Sequence, residues 1–362
     1  MKLKDMIEID GSYGEGGGQI VRTALSLSCL FQKPFRIFNI RKNRRKPGLM
    51  PQHLTCVKAA QLITSAEVKG DYQESTELFF SPDKARAGSF SFDIGTAGST
   101  SLVLQTIIPA LVFSGQKSTV TLTGGTHVPF SPSFHYLSEV FVSFLKQAGL
   151  RIQLSIDSYG FYPRGGGKIM ADIFPAEKVT PLKIAERGHL LNFAGHSGVG
   201  NLPLAIAQRQ RNACMNKILA GIKELEVSPD IDLLEVTTYG KGTFVDIAAR
   251  FEHSIAGFTA LGAIGKKAES VGEEAAADFI KYYKTGAAVD SHMADQIVLY
   301  LSLSRQESSF TVSAITNHIA TNLWAIGLFH DISYTLEGKT GENGTIKLKG
   351  KDINNYGASD LY

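Results

Sequence analysis

The chain has 362 residues, the size of about two domains that each bury an apolar core. Its 43% hydrophobic and 20% charged residues are typical of a folded globular protein and exclude an intrinsically disordered chain. The formal charge of +3 is too small for a protein that binds nucleic acid through its bulk charge. Any contact with a polyanion must therefore come from local clusters of basic residues.

The cysteines and the N-terminal sequence indicate a reducing compartment. Cys29, Cys56 and Cys214 are odd in number, have no C-x-x-C spacing and lie in apolar stretches, so we expect reduced, packed thiols. No signal-type apolar run follows Met1, and no window approaches 18 uncharged apolar residues. These patterns predict a cytoplasmic protein without a membrane span.

The first half of the chain repeats one order of elements. A short strand and an acidic, glycine-containing loop lead into an apolar helix, followed by a strand, a second amphipathic helix and a strand pair. Asp10 opens the first copy and Asp93 opens the second. The histidines near the starts of the second helices, His53 and His135, keep almost the same separation.

A third, shorter copy begins at Asp290, with an apolar helix from about Asp295 and a second helix near His318. The preceding hundred or so residues do not fit the repeat and predict a small α+β domain inserted into the third unit. The predicted fold is α+β, with three sheet-plus-two-helix units. The predicted domains are a large catalytic domain over 1–180 and 287–362 and a small inserted domain over 181–286.

The first loop, Gly14–Gln19, lies between a strand and an apolar helix, so its backbone N–H groups could meet a phosphate. It is neither a Walker A loop nor a Rossmann fingerprint, and a simple tight turn is an equal alternative. Glu15 favours the phosphate reading, because a carboxylate beside bound phosphates calls for a divalent cation between them.

Five basic residues fall within Arg41–Lys46, a run that on its own is more typical of a solvated surface. Arg41 stands out because it lies nearest the end of a strand. A histidine at a helix start has a lowered pKa and a nucleophilic neutral ring, although each one alone could be an ordinary polar residue near a cap. His318 is the best nucleophile candidate, whereas His53 beside Gln52 and the basic run suits substrate binding.

The segment from His292 to Gln296 could bind a nucleotide, or Asp295 could be a plain helix N-cap. Gln105, and the glycine run that follows Tyr162 and Pro163, are equally ambiguous alone. Taken together in order, these residues resemble the RNA 3′-terminal phosphate cyclases over nearly the whole chain. The segments that carry the resemblance are 10–12, 15–19 with Arg22, Arg41 with 47–49 and 51–53, 96–99 with Gln105, 124–126, 162–163 with 165–167, and 294–296 followed by His318.

The resemblance implies three units similar to the C-terminal domain of bacterial translation initiation factor three, with a small inserted domain. It also implies ligase-type nucleotidyl transfer with ATP and a divalent metal, Mg²⁺ or Mn²⁺, in RNA processing. His318 would attack the α-phosphorus of ATP and form a histidine–AMP intermediate. The adenylyl group would pass to an RNA 3′-phosphate, and the vicinal 2′-OH would close a 2′,3′-cyclic phosphate and release AMP.

By the same resemblance, Glu15 would hold the metal, and Arg22, Arg41, Gln52 and His53 would contact phosphate groups. ATP would meet Gln105 and the residues from 292 to 296, namely His292, Met293, Ala294, Asp295 and Gln296, with Pro132 against the adenine. His292 departs from the bacterial pattern, which has an adenine-stacking tyrosine there. The smaller imidazole face predicts looser nucleotide selectivity.

Two alternatives remain open at this point. The first is a relative without cyclase activity that binds or cleaves RNA in ribosome assembly, against which His318, Glu15 and Gln105 argue. The second is an enolpyruvyl transferase of similar repeated units, which has no use for a histidine nucleophile at a helix start. The sequence also leaves a homo-oligomer, the physiological RNA, the preferred metal and the role of the inserted domain open.

Overall fold

The computed structural model describes residues 6–351 except residues 224 and 226. Within that part of the chain the fold is α+β, with four four-stranded sheets. The ends of the predicted large domain, residues 1–5 and 352–362, lie outside the described residues.

The first sheet has the order β1-β2-β4-β3. Strands β1 and β2 are parallel, and the other two pairs are antiparallel. The elements of this first unit are β1 (Ile7–Asp10), α1 (Gly18–Phe31), β2 (Phe35–Phe38), α2 (Pro51–Thr64), β3 (Glu67–Lys69) and β4 (Leu78–Ser81).

The second sheet, β5-β6-β8-β7, has the same order and the same parallel and antiparallel pairs. Its second helix is interrupted by a π-helical turn, Leu137–Phe141. The other elements of this second unit are β5 (Ser89–Asp93), α3 (Thr100–Val112), β6 (Ser118–Gly124), α4 (Phe134–Tyr136), α5 (Val142–Gln147), β7 (Ile152–Ser158) and β8 (Gly167–Ile173).

The two-residue strand β9 (Lys183–Ile184) precedes an inserted segment, residues 185–286, that builds the fourth sheet, β11-β10-β12-β13. Two long helices, α6 and α7, pack on this sheet around a separate apolar cluster. The elements are β10 (Leu190–Gly200), α6 (Leu204–Gly221), β11 (Asp230–Glu235), β12 (Gly242–Phe251), β13 (Ile255–Leu261) and α7 (Ala268–Thr285).

The third unit resumes after the inserted segment, and its sheet, β9-β14-β16-β15, repeats the strand order of the first two. Strand β9 pairs in parallel with β14, so residues 183–184, which the sequence predicts in the small domain, belong to the third sheet. The remaining elements are α8 (Ser291–Leu301), β14 (Ser308–Val312), α9 (Asn317–Phe329), β15 (Ser333–Glu337) and β16 (Gly344–Lys349).

Side-chain caps set the starts of the two helices in the third unit. Asp290 Oδ1 accepts a hydrogen bond from Met293 N at 2.9 Å and begins α8. Asp295 therefore lies inside the helix, and the alternative that makes it the N-cap is wrong. Thr316 Oγ1 accepts from Ile319 N at 3.0 Å and begins α9, which leaves His318 in the first turn as expected.

The three cysteines agree with the expectation of packed, unpaired thiols. Cys29, Cys56 and Cys214 are buried and unpaired. Among the described residues, no helix has the combination of length and apolar character that a membrane crossing requires.

Candidate active site

A cavity of about 980 Å³ opens where helices of all three units meet α7 of the inserted segment. Its volume falls within the range of small-molecule and cofactor sites. It is lined, among others, by Glu15, Gln19, Arg22, Arg41, Gln52 and His53 of the first unit, Gln105 and Pro132 of the second, His292, Asp295, Gln296 and His318 of the third, and Lys281 of α7.

The loop before α1 packs onto α9. The rings of Tyr13 and Trp324 stack with centroids 3.9 Å apart. Gly14 has a φ of +56°, and a Cβ there would lie 2.3 Å from Thr321 Oγ1, so only glycine fits this close approach. These contacts bring Glu15 to the first turn of α9, where His318 lies.

His318 lies between two side chains of the first unit. Its Nδ1 is 2.7 Å from Gln19 Oε1, and its Nε2 is 2.9 Å from Glu15 Oε2. Because an amide oxygen can only accept, Nδ1 carries a proton, and Nε2 is the ring nitrogen that faces the Glu15 carboxylate.

The surroundings of His318 favour that neutral form. Burial lowers its pKa below the ordinary value, and although Glu15 acts to raise it, the cations Arg22 and Arg44 lower it further. The net shift is downward. This shift favours the uncharged ring at neutral pH.

Arg22 gives the cavity an unpaired cation. Its guanidinium lines the cavity, is partly buried, and makes no ion pair with a carboxylate in the part of the chain that the structure describes. Burial also lowers its pKa, although a guanidinium stays charged at any physiological pH. A buried charge without a counterion indicates that an anion binds there.

His53 is held neutral beside Arg22. Met50 N donates to His53 Nδ1 at 3.1 Å, so the ring proton lies on Nε2. Burial, followed by the charges of Arg22 and Arg41, lowers its pKa to about 3. His53 can therefore act toward a bound group as a hydrogen-bond donor and does not add a positive charge.

Arg41 and Gln52 are fixed by backbone contacts. Arg41 Nη1 donates to the carbonyl oxygens of Lys46 at 2.8 Å and Gly48 at 3.0 Å. Gln52 Oε1 accepts from Ser99 N at 3.0 Å, which joins the first unit to the second. Both side chains are thereby held at the cavity wall.

One face of α8 forms the opposite wall. Gln105 Nε2 donates to Gln296 Oε1, and Gln296 Nε2 donates to the His292 carbonyl at 2.8 Å. His292 is exposed. The predicted nucleotide-binding residues of the second and third units therefore lie together.

Asp295 has an altered pKa. Its Oδ1 accepts from Thr316 Oγ1 at 2.8 Å. Burial raises the pKa of Asp295 to about 8, with smaller upward effects of Asp290 and Glu15. The carboxyl group is therefore mostly protonated at neutral pH and can donate a hydrogen bond.

Two of the predicted nucleotide contacts do not reach the cavity. Met293 and Ala294 are buried in the core and do not line it. The physical reason is that α8 begins at Ser291, so both positions lie within its first turn, on the face that packs into the main apolar core.

Comparisons with known proteins show the family of this chain. The sequence model of a family described as RNA 3′-terminal phosphate cyclase matches residues 13–336. A Sulfolobus acidocaldarius protein of that name is 48% identical over 337 residues, 92% of this chain and 98% of that protein. A Staphylothermus marinus protein of that name is 42% identical over 355 residues, 96% and 98% of the two chains. This chain belongs to the RNA 3′-terminal phosphate cyclase family.

A third protein of that name is similar over most of its length. A Methylococcus capsulatus protein named RNA 3′-terminal phosphate cyclase is 42% identical over 332 residues, which are 90% of this chain and 91% of that protein. The similarity covers the segments that supply the cavity. The recognition made from sequence is therefore confirmed.

The cavity contains residues whose roles sequence reasoning missed. Gln19 was part of the family motif but had no assigned role, and 299 residues separate it from His318. Arg44 reaches Glu15, with Nη2 and Oε2 3.8 Å apart, although Arg41 was preferred within the basic run. Lys281 comes from the inserted segment, where no signal pointed to the cavity.

His135 does not share the environment of His53 and His318. It lies outside the cavity lining, with its Nε2 3.0 Å from the Tyr159 hydroxyl and its ring stacked against His196. The equivalence of the three helix-start histidines holds for their place in the repeat. It does not extend to their surroundings.

Glu15 fits a divalent cation. Its carboxylate is 29% exposed, faces the cavity and offers hard oxygen donors. Mg²⁺ is typically held by one or two carboxylates together with substrate phosphates and water. The Glu15 carboxylate at the cavity wall therefore fits a divalent cation whose other oxygen ligands come from outside the protein.

Proposed function

We propose that this protein converts an RNA 3′-terminal phosphate to a 2′,3′-cyclic phosphodiester at the expense of ATP. The observation that carries the proposal is His318, with Gln19 on Nδ1 and a reactive Nε2, in a cavity with the unpaired Arg22. The family supports the same substrate and reaction.

The first step forms a covalent intermediate. His318 Nε2 attacks the α-phosphorus of ATP, an N–P bond forms, and the bond to the β-phosphate oxygen breaks with release of pyrophosphate. Arg22 and Arg41 stabilise the charge that develops on the phosphate oxygens. Glu15 would hold the divalent cation, which would neutralise charge on the ATP phosphates when bound.

The second and third steps use the RNA end. An oxygen of the 3′-phosphate attacks the adenylyl phosphorus, the N–P bond breaks, and His318 is regenerated. The 2′-OH then attacks the activated 3′-phosphorus, loses its proton, and expels AMP. A phosphomonoester has no good leaving group of its own, and AMP supplies one.

The nucleotide base and ribose would lie along α8. His292 offers an imidazole face to the adenine opposite Pro132, and Gln105 and Gln296 offer amides. A protonated Asp295 would donate a hydrogen bond to a ribose hydroxyl. The contacts first assigned to Met293 and Ala294 would be made through the backbone, since both side chains are buried.

The three sheets support a further part of the proposal. Each unit would have the fold of the initiation factor three C-terminal domain, because all three share one strand order. The large domain would carry the chemistry, and the inserted domain would close the cavity through α7.

Incubation with ATP labelled at the α-phosphate and Mg²⁺ or Mn²⁺ tests the covalent step. We expect an acid-labile, alkali-stable protein–AMP adduct that His318→Ala abolishes. The matched control is His253→Ala, which removes an exposed histidine from the turn between β12 and β13. No adduct, or an adduct that persists in His318→Ala, would overturn the proposal and leave the RNA-binding relative as the better reading.

The RNA step has its own readout. An oligoribonucleotide with a 3′-phosphate should become resistant to phosphatase, and the same oligomer with a terminal 2′-deoxyribose should stay sensitive. Equal resistance of both oligomers would contradict ring closure by the 2′-OH.

A further inference from the structure

A second cluster of titratable groups lies outside the cavity, where the second unit meets the inserted sheet. His127 follows β6, His135 lies in α4, and Asp246 lies in β12. One potential ligand atom from each falls within 4.8 Å of the others. His127 is 1% exposed and Asp246 is 5% exposed, so the cluster is largely screened from water.

Two buried polar atoms in this cluster lack a hydrogen-bond partner among the described residues. His127 Nε2 and Asp246 Oδ2 are buried and have no hydrogen-bond partner in the described chain, although they lie 3.4 Å apart. Burying such atoms without a partner is costly. Their separation is close to the ~3.3 Å between two ligands that each lie ~2 Å from a tetrahedral zinc ion.

The opposite atoms of all three side chains are already held. Thr126 Oγ1 is 3.0 Å from His127 Nδ1, and the Tyr159 hydroxyl is 3.0 Å from His135 Nε2. Ser133 Oγ donates to Asp246 Oδ1 at 2.8 Å. In metal sites such outer contacts orient the ligands and fix the histidine tautomers.

The set of donor atoms also suits a cation. Two imidazoles and one carboxylate are ligands typical of Zn²⁺ and related first-row divalent ions.

We propose that His127 Nε2, His135 Nδ1 and Asp246 Oδ2 bind one first-row divalent cation such as Zn²⁺, with water in the remaining position. The cation joins β12 of the inserted segment to the second unit. It differs from the nucleotide-dependent cation at Glu15 in ligands, in place and in preferred ion. The role of this cation is structural, because it holds β12 against the second unit behind Pro132 and Ser133 at the cavity edge.

The site is tested by titrating Zn²⁺ into metal-free protein that has been prepared with a chelator. This protein carries the Glu15→Gln substitution, which weakens cation binding at the cavity. We expect one equivalent to bind and the melting temperature to rise. His135→Gln should weaken that binding at least ten-fold, since loss of even an outer contact costs this much. Co²⁺ in place of Zn²⁺ should give visible d–d bands that disappear in His135→Gln.

His253→Gln is the matched control and should bind Zn²⁺ as the parent does. His135→Gln in an otherwise unchanged chain should still form the AMP adduct, which shows that it folds. Asp246→Asn provides a second variant that keeps the acceptor for Ser133. Failure of the metal-free protein to bind Zn²⁺, or unchanged binding in both His135→Gln and Asp246→Asn, would show that the triad is only a buried ion pair.

Discussion

Gln19 Oε1 accepts a hydrogen bond from His318 Nδ1 at 2.7 Å, which joins the start of α1 to the start of α9. The contact determines which ring nitrogen carries the proton. Gln19 is thus a positioning residue for the proposed nucleophile.

Replacement of Gln19 should affect the covalent step. Gln19→Ala removes one hydrogen bond, so we expect adduct formation to slow about ten-fold, equivalent to ~1.4 kcal/mol. Single-turnover labelling with ATP measures it. Gln147→Ala, at the exposed end of α5, should leave the rate unchanged. An unchanged rate in Gln19→Ala would remove the positioning role.

The pH profile should report the same contact. The pKa of His318 is below the ordinary 6.5, so adduct formation in the parent should fall in acid, below about pH 6.5, as the ring is protonated. Gln19→Glu places a carboxylate on Nδ1 and raises the pKa, which should move the acid limb to higher pH. A limb at the same pH in both proteins would contradict this assignment.

The unpaired charge of Arg22 should lower the stability of the folded protein while it promotes the proposed reaction. Arg22→Met keeps the aliphatic stem and removes the unpaired charge, so we expect a higher melting temperature together with adduct formation slowed by about 10- to 150-fold, the range for ~1.5–3 kcal/mol. Arg86→Met, at an exposed position, should change neither quantity. A lower melting temperature with full activity would show that Arg22 is a structural residue.

Asp295 should weaken the fold as the pH rises. Its pKa is about 8 in the folded protein and 3.8 when exposed, so between these values the folded state holds more protons and stability falls with increasing pH. Asp295→Asn keeps the acceptor for Thr316 without the ionisation. Its urea midpoint should exceed that of the parent at pH 8.5 and match it near pH 4. A constant difference at both pH values would argue against the raised pKa.

Gly18 makes room for His53. A Cβ at Gly18 would lie 2.1 Å from His53 Nε2, so Gly18→Ala should destabilise by about 1–3 kcal/mol and displace the imidazole. Gly327→Ala, in α9 with open space around it, should instead stabilise by about 0.5–1 kcal/mol. Adding His53→Ala to Gly18→Ala should restore the urea midpoint but not adduct formation. No recovery in the double variant would locate the strain elsewhere.

Local elements were predictable from sequence because their signals are local. Strand β1, helix α1, strand β2 and helix α2 follow one another in the order that the sequence predicts, since loops mark their boundaries. Strand β13 has no clear signal in the sequence, because glycine and small residues interrupt its alternation. The start of α8 was placed too late because Asp290 and Asp295 both resemble caps and only the fold chooses between them.

Long-range contacts of the site could not be predicted in the same way. The repeat and the family motif identify Glu15, Arg22 and His318, but they do not show that Gln19 rather than a water molecule holds the ring. The histidine cluster around His127 forms only because β12 of the inserted segment packs against the second unit. No periodicity in the sequence predicts this contact.

The split of the third sheet has a consequence for synthesis on the ribosome. Leu182 N, next to β9, donates a hydrogen bond to Oγ of Ser308, the first residue of β14, across 126 residues, so the first strand of this sheet waits for its partner. At about 5–20 residues per second, the delay is about 6–25 s. The first two sheets and the inserted sheet can form during that time. Of the residues assigned to the proposed chemistry, His318 is the last to be synthesised, so a nascent chain acquires its nucleophile only after the first two units and the inserted segment have been made.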